Sequence, residues 1–181
     1  MTNAVLVARA YAFAAERHTD QRRKGCRNEP YINHLAEVAA LVSAATDGAD
    51  PNLIAAAVLH DTLEDTETRF AELEHEFNRD VADLVAEVTD DKSLPKQRRK
   101  ALQVEKTPAK STRAKMIKIA DKISNFRALV KSPPDTWSEE RKSGYLAWAR
   151  RVVNGARGAN GRLERIFDEA AQDLEMALKE K

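Results

Sequence analysis

The chain has 181 residues, 43% of them apolar and 33% charged, which is enough for one domain with a substantial core. A formal net charge of +1 gives no global field for nucleic acid or an anionic membrane, and no apolar run approaches the roughly 20 residues that span a bilayer. The lone Cys26 excludes an intramolecular disulfide, and the opening MTNAVLVARAYAFAAERH has no basic targeting region, so a cytoplasmic protein is expected.

Apolar residues recur at helical spacing nearly throughout, without sustained alternation, which predicts an all-α fold. The first helix is expected from about Asn3 to His18, with Val5, Ala8, Ala12 and Ala15 inward, and a polar loop follows from Asp20 to Pro30. Asn33 reads as the N-cap of a second helix whose inner stripe is Leu35, Val38, Ala39 and Val42, and Gly48 ends that region. Asp50-Pro51 is a cap followed by proline at the first helical position. The run Leu53 to Leu59 is apolar all round, which predicts a helix buried on most sides that delivers His60-Asp61 and, one turn on, Glu64-Asp65.

Thr68 is a candidate cap for the next helix, where Leu73, Phe77, Val81, Leu84, Val85 and Val88 keep helical spacing. Ser93-Leu94-Pro95 leads into a basic helix interrupted by Pro108, and another helix is expected from about Thr112 to Val130, with Met116, Ile119, Ala120, Ile123 and Phe126 inward. Ser132-Pro133-Pro134 closes it, and Thr136 with Glu139 suggests a capping box for a helix through Arg151. Gly155, Gly158 and Gly161 then break the chain before a terminal amphipathic helix carrying Leu163, Ile166 and Phe167. No repeat or linker divides the sequence, so residues 1–181 are expected to form one helical bundle, with 163–181 as its last helix.

The charge is unevenly spread. Acidic residues dominate from Asp61 to Asp91, and bases dominate from Lys92 to Lys118, with a further basic cluster at Arg22, Arg23, Lys24 and Arg27. Such runs commonly form solvated faces, and a small anionic ligand is the sharper reading.

An apolar helix that ends in His60-Asp61 sets an imidazole and a carboxylate against the core, where a charge needs a partner or a metal. Glu64 and Asp65 stand at i+4 from His60 and Asp61, and three carboxylates this close repel unless a cation compensates them. His34 begins another helix, and Asp121 interrupts the apolar run from Met116 to Ile123, with Asn125 at i+4 from it. Taken singly, His34 reads as a capping histidine and Asp121 as a partner of Lys118. Together, two imidazoles and two carboxylates from three helices form a mixed nitrogen and oxygen set suited to Mn, Fe, Zn or a similar divalent ion. No thiolate cluster, nucleophile elbow, H-E-x-x-H or P-loop occurs.

The segments Asp20-Gln-Arg-Arg-Lys24, Pro30-Tyr-Ile-Asn-His34, His60-Asp-Thr-Leu-Glu-Asp65, Val88-Thr-Asp-Asp91 and Lys118-Ile-Ala-Asp-Lys-Ile-Ser-Asn125, in that order, resemble the hydrolase signatures of the Rel/SpoT family. More narrowly, the chain resembles the stand-alone small alarmone hydrolases, including the metazoan SpoT homologues, and the similarity runs from about Ala8 to Arg162. The resemblance implies a single HD domain of about eight to ten helices, a Mn2+ ion, and removal of the 3′-pyrophosphate from ppGpp or pppGpp without synthesis. It makes His34, His60, Asp61 and Asp121 the metal ligands, and Glu64 and Asp65 the residues that position and deprotonate the attacking water. By the same resemblance Arg22, Arg23, Lys24 and Asn125 line the nucleotide pocket, and Lys96, Trp137, Arg141 and Tyr145 approach the ligand. Leu35 departs from the proline that many relatives carry there, and the loop from Gly25 to Glu29 is not the commonest version. The same metal site could instead remove the 2′-phosphate of NADPH, or belong to a non-catalytic nucleotide-binding module.

Overall fold

The computed structural model describes residues 2–179. Its centre is α3 (Pro51–Leu59), in which every residue from Leu53 to Leu59 is buried. The Asp50 carboxylate accepts the Leu53 N–H at 2.9 Å, and Pro51 supplies the preset first turn. Three further helices surround α3: α1 (Asn3–Arg17), α2 (Ile32–Ala45) and α6 (Arg79–Val88). The other long axis of the fold is α8 (Thr112–Lys131), which packs on α2 and α6 and carries α9 (Glu139–Asn154) and α10 (Gly161–Lys179) on its outer side. Shorter helices complete the chain: α4 (Thr62–Asp65), α5 (Phe70–Glu76) and α7 (Lys96–Lys106), the last followed by a 3-10 turn at Thr107–Ala109. The fold is thus all-α, as the periodicity predicts. Among the described residues no strand forms, and the one β-bridge pairs Arg22 with Pro30. Among the described residues, no helix is long and apolar enough to cross a membrane.

Several local expectations are corrected. The buried face of α1 is Leu6, Ala10 and Ala14, while Val5 is 47% exposed and Ala8, Ala12 and Ala15 face outward. An alanine-rich helix is apolar on several sides, so packing on α3, which favours the bulk of Leu6, selects the face. Helix α2 starts at Ile32 behind Tyr31, which places Asn33 inside the first turn without a capping bond. The expected helix across residues 68–88 divides at Phe77 and Asn78, and the Asn78 side chain caps Val81 N–H at 2.9 Å. Thr68 caps nothing; its hydroxyl accepts from Thr66 at 2.9 Å. The cap of α9 is Ser138, which accepts from Arg141 N–H at 3.2 Å, so Thr136 and Glu139 form no capping box.

The terminal helix is fixed by its apolar stripe. Leu163 and Phe167 are buried and Ile166 is half-buried, and the Phe167 ring lies 5.3 Å from that of Phe126 on α8. Replacing Phe167 with Ala is expected to lower unfolding free energy by about 3–5 kcal/mol. Asp50→Ala, which removes one cap, is expected to cost about 1 kcal/mol. Urea unfolding of both variants measures the difference.

Candidate metal centre and adjoining pocket

The helix that delivers His60 stops at Leu59, and α4 restarts at Thr62. His60 and Asp61 therefore occupy a break rather than a continuous helix, and Glu64 and Asp65 lie on the following short turn. The break turns Asp61 toward α2 and α8. Its Oδ2 lies 3.1 Å from His60 Nε2 and 3.6 Å from His34 Nε2, while Asp121 Oδ1 lies 3.4 Å from His34 Nε2. One donor atom from each of His34, His60 and Asp121 falls within 4.8 Å of the others, and both imidazoles are buried.

The hydrogen bonds around the rings fix their tautomers. His60 Nδ1 faces the Ala57 carbonyl at 2.9 Å, an acceptor only, so Nδ1 carries the proton. Ser124 Oγ gives its proton to Glu37 Oε2 at 2.7 Å, which leaves it to accept from His34 Nδ1 at 2.8 Å. Both Nε2 lone pairs then face the carboxylates. His60 Nε2 is buried and has no hydrogen-bond partner among the described residues, although Asp61 Oδ2 lies 3.1 Å from it. Histidines with Nδ1–H bonded outward and Nε2 directed at carboxylates are the arrangement of a metal site. The donor set fits a divalent cation.

Electrostatics agree. Burial lowers the His34 pKa, and the neighbouring His60 lowers it further. Burial also opposes protonation of His60, but the Asp61 and Asp121 carboxylates outweigh it and raise its pKa. Burial would favour neutral Asp61 and Asp121, yet His60 holds Asp61 well below the carboxylate range, and Lys122 with His34 does the same for Asp121. The cluster needs positive charge, which a cation supplies in place of protons.

Each of the four carboxylates is held by at least one neighbour. The Tyr31 hydroxyl donates to Asp61 Oδ2 at 2.6 Å, and its ring stacks on His18 and meets His34 edge-on. Burial, then Asp61, raises the Tyr31 pKa, which keeps the phenol a donor. Asp121 accepts from Lys122 Nζ at 2.7 Å and Asn125 Nδ2 at 2.6 Å, so its cationic partner is Lys122 and not Lys118. Glu64 accepts from Asp90 N–H at 3.2 Å and Arg99 Nη1 at 3.4 Å, and burial, then Asp61 and Asp90, raises its pKa. Asp65 pairs with Lys92, and its carbonyl accepts from Gln21 Nε2 at 2.7 Å.

Next to this centre lies a cavity of about 250 Å³ whose lining includes Arg22, Arg23, Lys24, Asn125, Trp137 and Tyr145. Tyr31 lines it too, so one side chain touches both the cavity and Asp61. Arg23 is fixed by bonds to Ser124 Oγ at 3.3 Å and Asn125 Oδ1 at 3.1 Å, whereas Arg22 turns back to the Thr19 and Gln21 carbonyls. The loop is pressed against the end of α8 at Gly25, where a Cβ would overlap the Ser132 carbonyl and hydroxyl oxygens. Burial pushes the Tyr145 hydroxyl up to about 12. Arg141 stacks on Trp137 at 4.3 Å, and Lys96 opens α7 outside the cavity lining.

Sequence reasoning assigned no role to Tyr31, Glu37, Arg99, Lys122 or Ser124. Glu37 stands at i+3 from His34, and Lys122 and Ser124 flank Asp121 within one motif, so spacing carried a signal for these three. Arg99 reaches Glu64 only through tertiary packing.

Three comparisons bear on this arrangement. A family model described as an HD domain matches residues 10–150. Guanosine-3′,5′-bis(diphosphate) 3′-pyrophosphohydrolase MESH1 of Xenopus tropicalis is 46% identical over 177 residues, covering 98% of this chain and 99% of that protein. The MESH1 protein of Homo sapiens, which carries the same description, is 46% identical over 163 residues and covers 90% and 91%. A solved structure described as a metazoan orthologue of SpoT that hydrolyses ppGpp and plays a role in starvation responses has a TM-score of 0.89 and 43% identity. It covers 92% of this chain and 94% of that one.

Ser124 holds His34 from outside the metal centre. Ser124→Ala is expected to weaken divalent-ion affinity by about 10–100-fold while the fold is retained. Calorimetric titration of the metal-stripped variant with Mn2+ measures it.

Proposed function

This chain belongs to the HD-domain family and to the small alarmone hydrolases within it, and on that premise we propose that it hydrolyses the 3′-pyrophosphate of ppGpp or pppGpp. The observation that carries this reading is the convergence of His34, His60, Asp61 and Asp121 at the break after α3, with an unpartnered buried Nε2 directed into the cluster. An HD domain implies a divalent metal, and Mn2+ is our choice for it, with those four side chains as its ligands. Residues 1–181 are read as one HD unit, and the exposed thiol of Cys26 suits a reducing cytoplasm.

A divalent ion held there acidifies water and offsets charge on the phosphoryl oxygens. The remaining steps belong to the protein. Glu64 is held by Arg99 and the Asp90 N–H, and each of its oxygens keeps a free lone pair for a proton. As general base it takes the proton of the attacking water, whose oxygen bonds to the phosphorus next to the ribose. The bond from that phosphorus to the 3′-oxygen breaks, pyrophosphate leaves, and the 3′-oxygen takes up a proton to give GDP or GTP. Asp65, tied to Lys92, orients the water from the adjoining position. Arg23, fixed against Ser124 and Asn125, meets phosphate as a planar two-pronged donor. Arg22, Lys24, Asn125, Trp137 and Tyr145 form the nucleoside side of the pocket, Arg141 backs it through Trp137, and Lys96, outside the lining, approaches the ligand from the start of α7.

Metal-stripped protein incubated with ppGpp is expected to release GDP and pyrophosphate only after Mn2+ is added. Phosphate release from NADPH alone, in a parallel reaction, would keep the metal centre and overturn the substrate. Asp121→Ala is expected to lose Mn2+ binding and turnover together. Glu64→Gln is expected to bind Mn2+ normally and lose about 10²–10⁴ in kcat. Unchanged kcat in that variant excludes the assigned role.

A further inference from the structure

The chain leaves α1 through His18, whose imidazole is 2% exposed and lies outside both the ligand set and the cavity lining. The edge and the face of this ring lead to different halves of the centre. At the edge, Nδ1 lies 2.7 Å from Gln21 Oε1, and Gln21 Nε2 donates to the Asp65 carbonyl at 2.7 Å. That second bond orients the amide with its oxygen toward the ring, so His18 Nδ1 carries the proton and donates. The face stacks on Tyr31, with ring centroids 5.3 Å apart and planes at 26°, and the Tyr31 hydroxyl donates to Asp61 Oδ2 at 2.6 Å.

Packing alone does not call for an imidazole at this position. A phenylalanine would stack on Tyr31 and bury no nitrogen, whereas His18 Nε2 is buried without a hydrogen-bond partner among the described residues. A buried nitrogen left unpaired costs free energy. What the imidazole adds is the bond at Nδ1, and that bond leads to Asp65. Helix α4 is a single turn, too short to hold its own shape, and its last carbonyls need partners from elsewhere. Gln21 supplies one for Asp65, so the amide sets where the turn carrying Glu64 and Asp65 ends. The backbone repeats the link: the His18 carbonyl accepts from Gln21 N–H at 3.0 Å, and the Gln21 carbonyl accepts from Tyr31 N–H at 3.1 Å.

We propose that His18 is the positioning residue common to both halves of the centre. Its ring face holds Tyr31 against the proposed ligand Asp61, and its Nδ1–H holds Gln21 against the turn that carries the general base and the water-orienting carboxylate. The inference rests on the hydrolase reading and deepens it, placing one support behind metal binding and proton transfer alike. His18 acts through Tyr31 and Gln21 and is not itself a catalytic residue.

Two substitutions separate these effects. His18→Phe keeps a flat ring against Tyr31 and removes the Nδ1–H. Its kcat on ppGpp is expected to fall about three- to tenfold, the worth of one hydrogen bond, with KM unchanged. Its Mn2+ affinity, from calorimetric titration of the metal-stripped protein, is expected to stay within about twofold of wild type. His18→Asn keeps an amide donor near the position of Nδ1 and removes the ring face. Its Mn2+ affinity is expected to fall about three- to tenfold because Tyr31 loses its backing, while kcat at saturating Mn2+ stays within about twofold. A residue that only filled space would lower both quantities together in both variants. Such parallel losses, unchanged kcat in His18→Phe, or unchanged Mn2+ affinity in His18→Asn would overturn the proposal.

Double variants identify the route of each effect. Gln21→Leu combined with His18→Phe is expected to lose no more kcat than the larger single loss, within about twofold, because both break one chain of contacts. Tyr31→Phe combined with His18→Asn stands in the same relation for Mn2+ affinity. Additive losses in either pair would overturn the assigned route. If the wild-type protein released neither GDP nor pyrophosphate from ppGpp, the hydrolase reading would fall, and the Mn2+ titrations would still decide the role of the ring face. Should His18→Asn fail to fold by circular dichroism, His18→Phe, which fills the same space, decides alone: Mn2+ affinity lost in step with kcat would overturn the proposal.

Discussion

Two imidazoles and two carboxylates sit where α2, α8 and the end of α3 meet, inside an otherwise apolar interior. Charges removed from water in this way need compensation close at hand, and the rest of the site can be traced to that requirement. Each ligand candidate is braced from outside: His60 by the Ala57 carbonyl, His34 by Ser124 and Glu37, Asp61 by Tyr31, and Asp121 by Lys122 and Asn125. The braces supply protons and direction, and the cation is left to supply charge at the centre.

The same demand explains the interruption after Leu59. Continuing α3 without a break would run His60, Asp61, Glu64 and Asp65 along one helix. The stop and restart at Thr62 let Asp61 face both histidines while Glu64 turns to Arg99 and the Asp90 N–H. The wholly buried α3 gives the break a rigid approach, because its side chains are enclosed on every side. The basic loop is placed with similar economy of movement: Gly25 lets it close on Ser132, and Arg23 is pinned against α8 beside Asp121.

The acidic and basic stretches of the chain meet in three dimensions. Lys92 pairs with Asp65 and Arg99 with Glu64, so part of the basic segment neutralises the carboxylates that follow the break after α3. On α7, Arg98 pairs with Glu105, and Lys100 lies over the Tyr145 and Trp148 rings. The sign reversal along the sequence thus lets the basic segment neutralise the acidic one across the fold.

Local chemistry made much of this visible in advance. Helical spacing established the all-α class, the Asp50-Pro51 start and the inner stripes of α2 and α8, because burial imposes a period that side chains cannot conceal. Asp121 interrupting one apolar run and His60-Asp61 ending another marked groups that need partners, His34 joined them only as part of the set, and the ordered motifs carried the family resemblance. What tertiary structure alone decided were choices that local sequence leaves degenerate. An alanine-rich α1 offers several faces, and packing on α3 selected Leu6, Ala10 and Ala14. A run of uniform helical spacing hid the division at Asn78, where a side-chain cap replaces a turn of helix. Arg99 meeting Glu64, and Lys100 meeting Trp148, depend on how separate helices cross, and no periodicity within either helix encodes that crossing. The sequence by itself determined which residues need partners; the tertiary structure decided which partners they have, because pairing depends on distances between elements that local propensity does not set.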